Sequence, residues 1–369
     1  MSATTSDTTQ RPRQSRSTFK KLAFTTVLWA IVFLVLEVGV RLYVAVASMN
    51  APETAKTTND AAAFVPHPFC VYVPNPEHRN HSEQGYRAAR NYEPDFDGLR
   101  IVTMGGSSTY GSQVKFEHSY PKLLEDKLAE ANPNQRVEVV NAGVSGYATP
   151  GIINLLSLRV VELRPRICII YTGFNDVWNR IRFNEFNLDS SHAMRSWQKP
   201  TQWPWHRSEL INQLAKVAGY PYWSKPHIHR VCWNSPSGTA DQNWDPKKLQ
   251  TFERNLKTII GICRTHDIQP ILCTQATDFE GHPIADAEIW AKAMESATDA
   301  IKSIGQQESV TVIDIRTPMT NKAEYFADCL HMNEAGNRFR ADLIAKHLSE
   351  SPPSPAETSV EHTPTPIAR

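Results

Sequence analysis

The chain predicts an α/β fold, a mainly parallel five-stranded sheet covered by helices on both faces. Three observations lead there: five short runs rich in Val and Ile, amphipathic helical segments between them, and strands with no polar face to meet water. Parallel strands need long crossover connections, which place helices over the sheet and leave its strands buried on both sides. The first strand runs from Leu99 to Met104 and is followed by a helix over about 119–131, a strand over 137–140, a helix over about 150–163 and a strand over 167–172. An irregular stretch, 177–245, interrupts the alternation. Regularity returns with a helix from about Pro246 to His266, a strand over 270–274, a helix over 286–304, a strand over 310–314 and a last helix from about Asn333 to Leu348. In such sheets ligands bind beyond the carboxyl ends of the strands. Ser107, Gly146 and Asn175 all lie just past strand ends.

Length and charge narrow the function. At 369 residues the chain has room for one catalytic domain with appendages, and 39 Lys and Arg against 38 Asp and Glu leave a formal charge of +1. That balance gives no attraction to nucleic acid or other polyanions. Charge is concentrated at the start, where Arg11, Arg13, Arg16, Lys20 and Lys21 precede an uncharged apolar run, Leu22 to Leu36. The run continues to Ala47, broken only by Glu37 and Arg41, which lie four apart and can pair on one helical face. Roughly 20 mainly apolar residues span a bilayer, so 22–47 is expected to be a transmembrane helix. With its basic flank, 1–21, in the cytoplasm, everything after about residue 48 lies outside, in the periplasm if the cell is bacterial. A cleaved secretory signal is the rival reading, because Ala45-Val46-Ala47 resembles a processing site; the two charges and the length of the segment speak against it. Either way the catalytic part is exported.

Residues 1–20 and 349–369 are poor in apolar residues and read as disordered ends, with 48–96 a tether and extension before the domain proper at 97–348. All six cysteines, Cys70, Cys168, Cys232, Cys263, Cys273 and Cys329, follow the apolar segment. Cys168 and Cys273 sit in strand-like runs as buried thiols would, so at most one or two disulfides are expected. No Cys-x-x-Cys pair suggests zinc.

Four segments carry chemistry: Gly105-Gly106-Ser107-Ser108-Thr109, Asn141 to Gly146, Gly173-Phe174-Asn175-Asp176, and Asp328-Cys329-Leu330-His331. A serine hydroxyl is a poor nucleophile until an imidazole takes its proton, and the imidazole works best when a carboxylate fixes its tautomer. A glycine before the serine allows a sharp turn after the strand. Asn175 offers a side-chain N–H, and Gly146 a backbone N–H, to an oxyanion. Taken singly, each segment also reads as a cap, a loop or a surface histidine.

In order and spacing the four segments resemble the SGNH/GDSL hydrolases over about residues 97–348. The resemblance implies a three-layer α/β/α sandwich of the flavodoxin-like SGNH type, with Ser107 as nucleophile, His331 as base, Asp328 as its orienting acid, and Gly146 and Asn175 lining the oxyanion hole. The Gly-Asp-Ser pattern is broken because Gly106 stands where the aspartate would be, which leaves Ser108 as a second candidate nucleophile. The expected activity is a serine esterase needing no metal or organic cofactor, acting on O-acylated glycans or, second, on lipid esters. An O-acyltransferase working with a multi-pass membrane partner is the alternative, and a non-catalytic glycan-binding or scaffold protein is another.

The insertion 177–245 holds Trp178, Trp197, Trp203, Trp205, Trp223, Trp233 and Trp244. It reads either as a lid or binding wall over the site or as a small satellite core. His206, His227 and His229 fit no strong metal-ligand spacing and read as surface histidines. Gly85-Tyr86-Arg87 reads as a surface turn whose cation could reach a substrate anion. Asp176 reads as a structural group bonding to its turn.

Overall fold

The computed structural model describes residues 16–49, 63–193, 195–198, 207–218, 230–233 and 237–350. The chain divides into two compact units, Met1–Asn59 with Lys199–His229, and Asp60–Gln198 with Arg230–Arg369. Of the ends expected to be disordered, 1–15 and 351–369 lie outside the described residues, as do most of the tether, Trp203, Trp205, Trp223, His206, His227 and His229, whereas 16–20 and 349–350 are helical.

In the first unit, helix α1 (Arg16–Met49) contains one stretch, Phe19–Val46, long and apolar enough to cross a membrane by length and composition. Its side chains are exposed along almost the whole length.

The second unit opens with a hairpin, β1 (Phe64–His67) and β2 (Val71–Pro74), which the Pro-rich sequence did not announce. Then come β3 (Leu99–Gly105), the short helix α2 (Ser107–Tyr110), α3 (Tyr120–Ala131), β4 (Val137–Gly143), α4 (Thr149–Leu155), β5 (Ile167–Tyr171) and α5 (Phe174–Ile181). The expected helix over 150–163 is broken. After α4 the chain widens into a π turn over Leu156–Val160 and tightens into a 3-10 turn over Val161–Leu163.

The insertion is less irregular than its composition suggests. It contains β6 (Arg195–Gln198), the helix α6 (Glu209–Val217) of the first unit, β7 (Arg230–Trp233), which pairs antiparallel with β6, and α7 (Ala240–Asn243). Trp178 and Trp244 are half-buried against the main apolar cluster of the sheet. The remainder is α8 (Gln250–Thr265), β8 (Gln269–Cys273), α9 (Ala287–Gln307), β9 (Thr311–Ile313), α10 (Arg316–Met319) and α11 (Glu334–Glu350).

Five strands form one parallel sheet in the order β4-β3-β5-β8-β9. Successive side chains of a strand point to opposite faces, and the burial follows that rule. Val102, Met104, Val140, Cys168, Ile170 and Leu272 join one apolar cluster with α4, α8 and α9. Ile101, Val139, Ile167, Ile169, Ile271 and Ile313 join another with α3 and α11. The two clusters and the sheet between them make the expected α/β/α sandwich. Residues of the extension, among them Tyr72, Tyr86 and Tyr92, are part of the first cluster rather than a spacer. Cys70, Cys168, Cys263, Cys273 and Cys329 are free thiols.

The strand order fixes where a site can form. From β3 the chain goes to β4 on one side and then to β5 on the other, so β3 and β5 flank the switch point at which a crevice opens beyond the carboxyl ends. Because α3 is held by its buried face, Leu124→Ala, at a fully buried position, is expected to lower stability by about 2–5 kcal/mol. Leu158→Ala, at a position 46% exposed, should cost less than about 0.5 kcal/mol, both values being read by denaturant titration.

Candidate active site

Ser107 begins α2 immediately after β3, and Asn175 lies in the first turn of α5 after β5, one on each side of the switch point. Asp328 and His331 arrive on the loop before α11. Ser107 Oγ is 2.7 Å from His331 Nε2, and His331 Nδ1 is 2.8 Å from Asp328 Oδ2. Ser108 is turned away: it is buried, and its hydroxyl faces the Leu330 carbonyl at 3.5 Å. The geometry therefore puts Ser107, not Ser108, on the imidazole.

Asp328 is fixed by its own turn. Its Oδ1 accepts from the Leu330 N–H at 2.9 Å and from the His331 N–H at 2.7 Å, and Gln113 Nε2 donates to Oδ2 at 3.4 Å. Partial burial works against the charged carboxylate, yet the bonds from His331 and from the two backbone N–H groups outweigh it and hold the carboxyl down at about 2. An ionised carboxylate only accepts, so His331 Nδ1 carries the proton and Nε2 is left to accept from the Ser107 hydroxyl.

The other side of the cleft is set by Asn175 and the 145–147 loop. Asn175 Nδ2 donates to the Tyr147 carbonyl at 2.8 Å, which uses one of its two hydrogens. The Tyr72 hydroxyl donates to the Ser145 carbonyl at 2.8 Å, and the Ser112 and Ser145 hydroxyls are 3.0 Å apart. Gly146 sits inside this pinned loop at φ 82°, a left-handed conformation that glycine adopts without strain. The break in the Gly-Asp-Ser pattern has a steric counterpart, since a Cβ at Gly106 would fall 2.5 Å from Asn175 Nδ2. With glycine there, the Ser107 turn and the asparagine come into close approach.

Several supporting residues were invisible or misread in the sequence. Arg87 is no surface cation: it is buried, and its guanidinium donates to the Tyr110 and Gly111 carbonyls at 2.5 Å and to the Val114 carbonyl at 2.7 Å, holding the end of α2. Arg340, on α11, is fully buried across the rings of Tyr120 and Tyr171 and donates to the Ser108 carbonyl at 2.9 Å. Gln275 Oε1 accepts from the Phe174 N–H at 2.8 Å and so fixes the start of α5. Asp176 accepts from the Thr149 N–H at 3.1 Å and from its hydroxyl at 2.6 Å, tying α5 to α4. No local pattern marks Arg87, Arg340 or Gln275, because each is paired with a residue far along the chain.

Residues 103–339, which include both Ser107 and His331, match the GDSL-like lipase/acylhydrolase family. The chain belongs to this family. It is accordingly a hydrolase acting on ester bonds. Among solved structures, it is similar to the lipase/acylhydrolase from Enterococcus faecalis at 19% identity over 70% of this chain and 100% of that one, with a TM-score of 0.44. A variant acetyl xylan esterase from Geobacillus stearothermophilus is similar at 15% identity over 68% of this chain and 95% of that one, TM-score 0.44. LAE5, an α/β hydrolase enzyme from the metagenome of Lake Arreo, Spain, is similar at 16% identity over 70% and 98%, TM-score 0.44. No curated protein matches the chain.

Two measurements probe this geometry. Gly106→Ala is expected to lower kcat/KM on an activated ester by about 10- to 1,000-fold by displacing Asn175, with little change in the unfolding midpoint. Asp328→Asn should cost about 10³–10⁴-fold in kcat. Because the folded-state carboxyl lies below its ordinary value of 3.8, its contribution to stability is present above that pH and is lost as pH falls through about 2. The variant should therefore lose that part of the acid dependence of unfolding.

Proposed function

We propose that the protein is a membrane-anchored serine esterase that removes short acyl groups, acetyl above all, from O-acylated glycans outside the cytoplasm. The observation that carries the reading is the pair of hydrogen bonds linking Ser107, His331 and Asp328 at 2.7 and 2.8 Å. Ser107 Oγ attacks the ester carbonyl carbon while its proton passes to His331 Nε2, and Asp328 stabilises the resulting imidazolium. The negative oxygen of the tetrahedral intermediate is met by the second Asn175 Nδ2 hydrogen and the Gly146 N–H. Collapse breaks the bond to the alcohol, which leaves with the proton from Nε2. Water, deprotonated by His331, then attacks the acyl-serine, releasing the carboxylic acid and restoring Ser107.

The preference for a short acyl group rests on the space beside the serine. A cavity of about 10 Å³, bounded by Ser107, Tyr171, Thr172, Asn175, Gln275 and Leu330, adjoins the nucleophile. That is room for one water molecule or one methyl group. Leu330 and Gln275, both buried, line this space and are placed by the loops that hold Asp328 and Asn175. Long-chain lipid esters fit this space poorly. Placement of the chemistry outside the cytoplasm follows from α1 read as an anchor with its basic flank inside.

Hydrolysis of p-nitrophenyl acetate, butyrate and octanoate by the full chain tests the reading. The value of kcat/KM should fall about tenfold or more from acetate to butyrate and further for octanoate. Ser107→Ala should lose about 10⁴–10⁶-fold on acetate. Unchanged activity in the serine variant would refute the nucleophile, and equal rates across the three esters would refute the acyl cavity.

A further inference from the structure

Glu37 is a carboxylate within the apolar stretch Phe19–Val46, and it is buried where its neighbours on the helix are exposed. Its partners are more than the Arg41 guanidinium, whose Nε donates to Oε1 at 2.7 Å. The carboxylate also accepts from the Ser208 hydroxyl at 2.7 Å, the Glu209 N–H at 2.8 Å and the Leu210 N–H at 2.9 Å, while Arg41 Nη2 donates to the Arg207 carbonyl at 2.5 Å. A helix begins with backbone N–H groups that have no partner inside it, and a carboxylate there satisfies them and complements the positive end of the helix dipole. Here the cap of α6 comes from α1, across 171–173 positions of sequence. Helix α6 packs against α1, and Val40 and Val44, one and two turns from Glu37, are the less exposed members of an otherwise exposed helix.

Glu37 lies nine residues before Val46, about 13 Å along the helix from the end of the apolar stretch. A 28-residue helix of about 42 Å centred on a core of about 30 Å overhangs it by about 6 Å at each end, which puts Glu37 about 7 Å inside the hydrocarbon and Arg41 near its rim. The free side of α6 suits that depth. Leu210, Leu214 and Val217 recur at helical spacing, and Leu214 and Val217 are 60% and 87% exposed. Leu36, Leu42 and Tyr43 of α1 are likewise exposed.

Resting on the reading of α1 as a membrane anchor, we propose that Ser208–Val217 is a membrane-embedded element. In this arrangement α6 lies along α1 in the outer leaflet, presents Leu214 and Val217 to lipid acyl chains, and is held by Glu37. The two charges in the apolar segment are then the socket for a second membrane-inserted helix. The esterase unit is joined to the bilayer both through the chain after Met49 and through the insertion, rather than by a single tether.

Accessibility of introduced cysteines tests this in the full chain reconstituted into phosphatidylcholine vesicles. A membrane-impermeant maleimide is applied and labelling at each introduced site is read by peptide mass spectrometry, with p-nitrophenyl acetate hydrolysis checking that the esterase unit is folded. Leu158→Cys, in the esterase unit, reports the outward-facing fraction, and Val32→Cys reports α1. Labelling of Leu214→Cys and Val217→Cys is expected to be at least tenfold slower than that of Leu158→Cys, with Val32→Cys protected as well. Adding Glu37→Ala should release the protection at 214 and 217 but not at 32. Labelling of 214 and 217 as fast as 158, with 32 still protected, would overturn the embedded helix alone. Fast labelling at 32 would overturn the anchor and the inference together.

Discussion

The hydrogen bond between Ser107 and His331 joins residues 224 apart, and the sheet explains how they meet. All strands of a parallel sheet end at one edge, and the reversal of strand order beside β3 opens a crevice there between the β3 and β5 ends. Several buried polar groups near the edge hold those pieces in place. Arg87 gathers three carbonyls at the end of the Ser107 helix, Arg340 reaches the Ser108 carbonyl from α11, and Asn175 clasps the Tyr147 carbonyl across the cleft. Buried guanidinium groups are costly unless their donors find acceptors or aromatic faces. Arg87 finds carbonyls of residues 110, 111 and 114, and Arg340 the Ser108 carbonyl, Asn337 Oδ1 and the faces of Tyr120 and Tyr171.

Much of this architecture was legible because it depends on short-range pattern. Val/Ile runs separated by amphipathic stretches specify a covered parallel sheet, and the strand and helix positions follow within a few residues. The segments around Ser107, Gly146, Asn175 and Asp328 were visible because glycine and polar residues interrupt apolar strands just at their ends. What was not legible depends on pairing at a distance. The π turn after α4 interrupts a run that still reads as helical, and the β1–β2 hairpin hides in a Pro-rich segment. Arg87 looked like a surface charge because nothing near it in sequence reveals the carbonyls of 110, 111 and 114.

Gly106 and Glu37 show the same limit in two directions. At Gly106 a familiar pattern is broken, and the break makes sense only once Asn175 is seen 2.5 Å from where a Cβ would stand. Glu37 looked like an interruption of an apolar helix, tolerable through its pairing with Arg41. In the structure it caps a helix from the middle of the insertion, so the least regular part of the sequence and the most apolar part are coupled through one carboxylate.

The central claim is that one serine, activated by His331, carries the acyl group. Treating the full chain with a fluorophosphonate and locating the adduct by peptide mass spectrometry tests it most directly. The account predicts a single stoichiometric adduct on Ser107, lost in His331→Ala. An adduct on Ser108, or equal labelling without the imidazole, would contradict it.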